Sequence, residues 1–171
     1  MKKLLIFICF LAMSLITILS EPINVNAVSS SSSDDLVLIS EETTYNYDTS
    51  YIKIKVYSSS LNLIKIYNTN RVYTKTGVSE VTRHESDGTI IWQYTLTGYF
   101  EINPGISCTC YNAIYSQYSN NSSWNFSNGA ASCIDNAAYG QGTFKYKLLL
   151  ITFQTVNIDV RVMCDINGNI S

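Results

Sequence analysis

The chain has 171 residues, of which 46% are hydrophobic, 12% aromatic and only 14% charged, with a formal net charge of −2. A weakly acidic chain lacks the positive electrostatic field that attracts nucleic acids and anionic membrane surfaces. Both are therefore disfavoured as electrostatic partners. Serine, threonine, asparagine and thirteen tyrosines supply the polar surface that charged residues supply in an average domain.

Residues 1–27 have the three parts of a secretory leader. Two lysines begin it, the run 4–19 is apolar apart from two residues, and Val25-Asn26-Ala27 supplies small residues before a cut. We expect cleavage between Ala27 and Val28, with cleavage after Ser20 as the weaker alternative. Either cut predicts a secreted, extracellular protein. The apolar run is slightly short for a bilayer span of about 20 residues, which favours a cleaved leader over a membrane anchor. We also expect no stable membrane insertion of the mature chain.

The mature chain is expected to form one domain. Because the leader holds two lysines and one glutamate, the remaining 144 residues carry 9 basic and 12 acidic side chains and a net charge of −3. That length suits a single domain. Residues 28–35 are serine-rich and are expected to be disordered, and residues 36–171 are expected to form a β domain.

From residue 36 onward the dominant period of the sequence is two, as in half-buried strands. In the longest example, residues 89–102, the even-numbered side chains form a mostly apolar face. Gly98 interrupts this face and predicts a bulge or bend. The turn residues Ser86-Asp87-Gly88 predict a hairpin with a preceding strand at 78–85.

The rest of the mature chain also indicates strands, and no segment of ten or more residues has capped helical periodicity. Strands with turn residues between them are typical of a sandwich or barrel, and we predict a single antiparallel β-sandwich, Ig-like or jelly-roll-like. The further predicted strands are 36–40, 51–57, 61–67, 71–76, 107–118, 122–127, 130–135, 142–149 and 156–164.

Four cysteines follow the leader: Cys108, Cys110, Cys133 and Cys164. An even number in an exported chain predicts two disulfides. A bridge between Cys108 and Cys110 would need a strained tight loop, so two connectivities remain. Since Cys164 lies in the apolar phase of the last strand, we favour Cys110–Cys164. Cys108–Cys133 would then be the second bridge, and the alternative exchanges the two partners.

A zinc site of all four thiolates is the competing interpretation of these cysteines. Structural zinc sites use pairs separated by two to four residues, whereas this chain has one pair separated by a single residue and two isolated cysteines. We therefore expect no metal and no cofactor.

The sequence offers no catalytic motif. His84 is the only histidine, and it is interpreted as a solvated strand residue beside a turn. A Ser-His-Asp triad stays an open alternative because its members lie far apart in sequence. We expect no catalytic residues and no enzyme. Carboxylates that could pair in a glycosidase lie near the N-terminus or on polar strand faces: Asp34, Asp35, Glu41, Glu42, Glu80, Glu85 and Glu101.

The tyrosines are the better candidates for binding, because the core cannot hold all of them. Exposed aromatic rings on a sheet stack on sugars or anchor a protein partner. Cross-strand pairing that stabilises the sheet is the alternative explanation. The residues concerned are Tyr45, Tyr47, Tyr51, Tyr57, Tyr111, Tyr115, Tyr118, Tyr139 and Tyr146.

A little over half of the chain, from Val78 onward, resembles a group of small uncharacterised secreted proteins of Gram-positive bacteria. The resemblance implies export, a bacterial source and an all-β domain, and it assigns no functional residue. Cys108 and Cys133 are additional to the pattern. The segments that carry it are Asp87-Gly88-Thr89 with Trp92, residues 96–100, 107–115, Ser123-Trp124, Gly142-Thr143-Phe144 and residues 164–169.

Together these features predict a secreted, non-enzymatic binding module, extracellular or associated with the cell envelope, that recognises a glycan or a protein. A secreted toxin or antimicrobial effector is the first alternative. A small secreted hydrolase is the second.

Overall fold

The computed structural model describes residues 35–46, 48–67, 70–149 and 151–171. The leader, the cleavage site at Ala27 and Val28, Tyr47 and most of the serine-rich segment lie outside these residues. The described part contains nine strands and no helix that could cross a bilayer. The strands are β1 (Val37–Tyr45), β2 (Tyr51–Ser58), β3 (Asn62–Tyr67), β4 (Asn70–His84), β5 (Ile90–Asn103), β6 (Ser107–Ser119), β7 (Trp124–Ile134), β8 (Ala137–Leu148) and β9 (Ile151–Met163).

Two antiparallel sheets face each other, which confirms the predicted all-β sandwich. The larger sheet has the order β1-β2-β4-β5-β6, and β3 pairs with the first part of β4. Strand β5 pairs with one edge of β4. Strands β2 and β3 pair with the other edge of β4, one after the other along its length. The smaller sheet has the order β7-β8-β9.

The core lies between β5 of the large sheet and β8 of the small one. The predicted apolar face of β5 is buried, and Trp92, Tyr94 and Leu96 are fully inaccessible. Trp92 stacks on Phe144 of β8 with ring centroids 4.3 Å apart. Large rings thus join the two sheets near one end of the sandwich.

Gly98 serves close packing and not the bulge that the sequence predicts. It stays in regular register with Gly77 and Ala113. A Cβ at this position would lie 2.6 Å from the Cβ of Ala138, which is too close for any side chain. The register shift of β5 against β6 comes one step later, between Tyr99 and Phe100.

One disulfide joins β6 to β7, between Cys110 and Cys133, with Cα atoms 5.4 Å apart. The favoured pairs, Cys110–Cys164 and Cys108–Cys133, are therefore wrong. The backbone gives the reason: the amide of Cys110 donates to the carbonyl of Asp135, in the β7–β8 turn, at 2.8 Å. This bond holds β6 beside the end of β7, where Cys133 lies.

The other two cysteines, Cys108 and Cys164, are thiols that interact with each other. They are the second pair of the alternative connectivity. The amide of Cys164 donates to the carbonyl of Asn136 at 3.0 Å, so the same β7–β8 turn holds this cysteine next to β6. Burial raises the pKa of both thiols, which keeps them protonated at neutral pH.

Candidate binding cleft

A cleft of about 260 Å³ opens between the two sheets at the end of the sandwich where Trp92 and Phe144 stack. Residues from both sheets and from three turns line it. Such convergence of polar and aromatic groups in one concavity is the usual sign of a ligand site. The lining residues are Asp48, Ser50, Arg83, Glu85, Ile91, Asn121, Trp124, Tyr146 and Gln154.

The wall formed by the small sheet is a single cross-strand row. Trp124 of β7 is the register partner of Tyr146 of β8, which is in turn the partner of Gln154 of β9. Partners in register lie on the same face of a sheet, so all three side chains point toward the large sheet. The rings of Trp124 and Tyr146 are 5.4 Å apart. The row therefore places two aromatic rings and an amide side by side.

The wall formed by the large sheet contains a buried arginine. Arg83, near the end of β4, is the register partner of Trp92, so it shares the core-facing side of the sheet. Its exposed fraction is 2%. An arginine is rarely buried without a partner, because transfer of its charge out of water is unfavourable.

Three neighbours compensate the charge of Arg83. Its Nη2 donates to Asp48 Oδ2 and to Ser50 Oγ, each at 2.9 Å. Its Cζ lies over the ring of Trp124, 4.9 Å from the centroid, where the negative face of the ring attracts a cation. The guanidinium thereby connects the turn after β1 to the aromatic row of the small sheet.

Asp48 is held ionised in the turn between β1 and β2. Its Oδ1 accepts hydrogen bonds from both the hydroxyl and the amide of Ser50. These bonds, and after them the charge of Arg83, hold the pKa of Asp48 below its ordinary value. The carboxylate side chain is 57% exposed, so it faces the cleft mouth while Arg83 stays inside.

The guanidinium of Arg83 is not fully hydrogen-bonded by the described residues. Among the described residues, Nε of Arg83 is buried and has no acceptor. A buried donor without a partner is unfavourable by about 1–3 kcal/mol and is rare in folded proteins. Arg83 therefore keeps one buried donor without an acceptor in this part of the chain.

His84 follows Arg83 directly but plays no part in the cleft. Its ring nitrogens are hydrogen-bonded to Thr82 Oγ1 at 2.8 Å and to the carbonyl of Gly88 at 3.0 Å. Its ring stacks on Tyr51 at 4.7 Å. Both nitrogens and one ring face are thus engaged within the sheet and its turn, a structural role.

The cysteines lie outside the cleft lining. Two of the four thiolates that a zinc site would need are joined in the disulfide between Cys110 and Cys133. In the part of the chain that the structure describes, no group of three histidine, cysteine, aspartate or glutamate side chains is arranged to hold a metal.

The tyrosines divide into several environments, and among those that the structure describes only Tyr146 lines the cleft. Tyr115 stacks on the buried Tyr94 at 5.7 Å, and Tyr45 contacts Tyr51, as the cross-strand alternative predicts. Burial raises the pKa of Tyr94 to about 12. Tyr118 is exposed on the outer side of β6 and offers a comparison for experiments.

Sequence reasoning missed Arg83, Asp48 and Trp124 as site residues. One signal was available for Arg83, because it has the same strand phase as the buried Val81. A charged residue in a core-facing phase predicts either a buried ion pair or a ligand contact. No comparable local signal marks Asp48, whose role depends on the turn that folds it toward β4.

Comparison with known proteins finds no matching family model, no matching curated protein and no matching solved structure. The function has to be inferred from the residues of the cleft. The resemblance to secreted proteins of Gram-positive bacteria stays a prediction.

Replacing Asp48 with asparagine should destabilise the protein by about 1–2 kcal/mol, because buried Arg83 loses its only anionic partner among the described residues. The figure is kept at the lower end because Asp48 itself is largely exposed to solvent, which screens the pair. Urea denaturation at pH 7 measures the difference.

The same variant predicts a pH dependence. The folded-state pKa of Asp48 lies below its ordinary value of 3.8, so its contribution is complete above that pH and is lost as the pH falls through the lowered value. D48N should therefore flatten the acid limb of the stability curve. Glu41→Gln removes an exposed ion pair with Lys53 and is the control, with little effect expected at pH 7. Equal stability of D48N and the parent protein would contradict the role of Asp48.

Proposed function

We propose that the protein is a secreted, non-enzymatic binding module whose cleft takes one neutral sugar unit of an extracellular glycan. The observation that carries this proposal is the composition of the cleft: two aromatic rings beside carboxylate, amide, hydroxyl and guanidinium groups. Sugar hydroxyls donate and accept hydrogen bonds, and the apolar face of a sugar ring packs on aromatic carbon.

Charge favours a neutral ligand over an anion. Among the described residues that line the cleft, Arg83 supplies the one positive charge, whereas Asp48 and Glu85 supply two negative charges. The guanidinium is already paired with Asp48, so a phosphate or carboxylate ligand would meet a net negative cleft. Carboxylates accept strongly from hydroxyl groups, which suits a sugar.

Size favours a small ligand. The cleft volume of about 260 Å³ lies just below the range of about 300–1,000 Å³ for sites that enclose drug-sized molecules. One sugar ring would fill it, and the rest of a longer chain would leave through the open mouth. We expect weak affinity, because few groups are desolvated on binding.

Secretion supports this function and rests on the leader at residues 1–27. A disulfide such as Cys110–Cys133 persists in oxidising compartments and is rare in the cytosol. Both features suit a module that works outside the cell or at its envelope.

A small hydrolase is the second candidate, because Asp48 and Glu85 both line the cleft. Glycoside hydrolysis needs one carboxyl group that is protonated near neutral pH. Asp48 has the opposite property, since its pKa is lowered and its oxygens accept from Ser50 and Arg83. Glu85 would then have to be that acid, whereas the binding proposal predicts that a bound glycan remains intact. Cleavage that Glu85→Gln abolishes would make the protein a hydrolase.

The binding proposal predicts that Gln154→Ala and Tyr146→Ala each weaken glycan binding at least tenfold, since each removes about 1.4 kcal/mol or more of contact. An array of neutral oligosaccharides finds the ligand, and titration calorimetry measures the affinities. Circular dichroism checks that each variant is folded.

Tyr118→Ala is the matched control, because this tyrosine is exposed on β6 and does not line the cleft. Its affinity should equal that of the parent protein. Loss of binding in Y118A with retention in Q154A would move the site to the outer face of β6. Absence of any glycan binding would overturn the proposal.

A further inference from the structure

The β8–β9 hairpin ends in a group of exposed apolar side chains. Leu148, Leu149, Ile151 and Phe153 form this apolar tip, with exposed fractions of 47, 96, 61 and 62%. Scattered apolar residues on a surface are normal, whereas a contiguous group at one protruding point marks an interaction site.

The turn of this hairpin places a leucine in a backbone conformation that destabilises the fold. Leu148 and Ile151 are the last paired residues, so the loop has two residues and begins with Leu149. Leu149 has a φ of 58°, a left-handed conformation that asparagine and glycine adopt far more easily than leucine. Its side chain is almost fully exposed, so protein contacts do not offset the strain. A strained, exposed leucine points to a function.

The charge of the hairpin differs from that of the chain as a whole. Residues 136–158 contain Lys145 and Lys147 and no acidic residue, although the mature chain has a net charge of −3. Lys147 is exposed and adjoins the apolar tip. Lysines that flank inserted apolar side chains are typical of contacts with anionic lipid surfaces.

We propose that the apolar tip inserts into the outer layer of a lipid bilayer that carries anionic headgroups, with Lys147 and Lys145 at headgroup level. The contact is peripheral and reversible, and the hairpin does not cross the bilayer. The net negative charge of the mature chain disfavours attraction of the whole protein to an anionic surface. The end of the hairpin has a positive charge of its own, so this argument does not apply to it.

The shape of the tip favours a bilayer over a protein partner. A specific protein interface needs about 1,000 Å² of complementary surface or more, whereas the apolar tip is four side chains at the end of a two-stranded ribbon. A bilayer needs no matching shape. Burial of the leucine and phenylalanine side chains among acyl chains supplies the driving force.

Position links the apolar tip to the cleft without making one proposal depend on the other. Tyr146 and Gln154, which line the cleft, are the register partners next to the tip, and the ring of Tyr146 lies 6.4 Å from that of Phe153. Insertion would therefore hold the cleft near the membrane surface. Vesicles without sugars test the lipid contact independently of glycan binding.

The test uses protein recovered from the medium of an exporting host and sedimentation with vesicles of equal parts phosphatidylglycerol and phosphatidylcholine. The parent protein should bind them, and more weakly when phosphatidylglycerol is omitted or salt is raised. Leu149→Asn with Phe153→Thr should weaken binding at least tenfold while keeping the fold, because asparagine suits the left-handed turn position.

Ile114→Thr on β6 is the matched control, since it removes an exposed apolar side chain from the other sheet. Its vesicle binding should change less than twofold. Equal binding by the L149N/F153T variant and the parent protein would overturn the proposal. Failure of the parent protein to bind, together with a dimer that L149N/F153T dissociates, would overturn it too and assign the tip to self-association.

Discussion

Replacing Phe144 with alanine should lower the free energy of unfolding by about 3–5 kcal/mol, the range for deletion of a buried aromatic ring. Phe144 is fully inaccessible and stacks on Trp92, so its ring joins β8 to β5. Phe126, also an aromatic ring, lies 4.9 Å from it. Rigid rings cannot collapse into the space that the deletion leaves, which places the effect in the upper part of the range.

Urea denaturation followed by tryptophan fluorescence measures this difference, because Trp92 is the ring that loses its stacking partner. Phe153→Ala is the matched control: the same substitution at an exposed site should change stability by about 0.5 kcal/mol or less. Similar effects of the two variants would show that the Phe144–Trp92 contact does not hold the sheets together.

The sheet content follows from the sequence because period two is a local signal. In β5 and in the second half of β9 apolar residues alternate with polar ones over several positions, and burial follows the alternation. The Asp87-Gly88 turn was predictable because its signal is also local. Gly88 has a φ of 90°, which few other residues adopt.

The strand boundaries were less predictable where glycine lies inside a strand. The predicted strands at 71–76 and 78–85 are one strand, β4, because Gly77 continues the pairing with Ser58 and Gly98. Its missing side chain accommodates Val162 of the opposite sheet, since a Cβ would lie 2.6 Å from that residue. Only the packed structure distinguishes such a glycine from a break.

The cleft could not be predicted because its members are distant in sequence. Arg83 and Asp48 meet through the pairing of β2 with β4 and the turn that precedes β2. Trp124 and Gln154 meet only through β8, which lies between them. Cross-sheet contacts of this kind depend on strand order, which period two leaves open.

The predicted cysteine pairing was wrong for a related reason. Alternation correctly placed Cys164 toward the core, where its exposed fraction is 0%. It gave no information on which of Cys108 and Cys110 would lie opposite, because both point to the same side of β6. The β7–β8 turn decides this, through its hydrogen bonds to Cys110 and Cys164.

Loss of the Cys110–Cys133 bridge should lower stability by about 3 kcal/mol in the chain-entropy model for a loop of this length. The double variant Cys110→Ser with Cys133→Ser tests this without leaving a single thiol. Urea denaturation of the variant and of the parent protein gives the difference. An unchanged midpoint would contradict a structural role for the bridge.

The remaining prediction from the sequence is that all four cysteines are oxidised in the exported protein. Cys108 and Cys164 influence each other's pKa, which makes them neighbours, and an extracellular oxidant could join them by removing two hydrogens. We therefore expect an intact mass short by about four hydrogens relative to the reduced chain, with each bridge removing two. Reduction opens both bridges, whereas the C110S/C133S variant removes only one. Reduction should therefore lower stability by more, and the second bridge should contribute the larger part because it closes a longer loop.

Alkylation distinguishes the two possible states of Cys108 and Cys164. Burial raises the pKa of both thiols, so reduced thiols should react slowly in the folded protein and fast after unfolding in urea. Two alkylated cysteines in unfolded, unreduced protein would show that the second bridge does not form. No alkylation under the same conditions would show that the strand end that carries Cys164 is linked covalently to β6, across the two sheets.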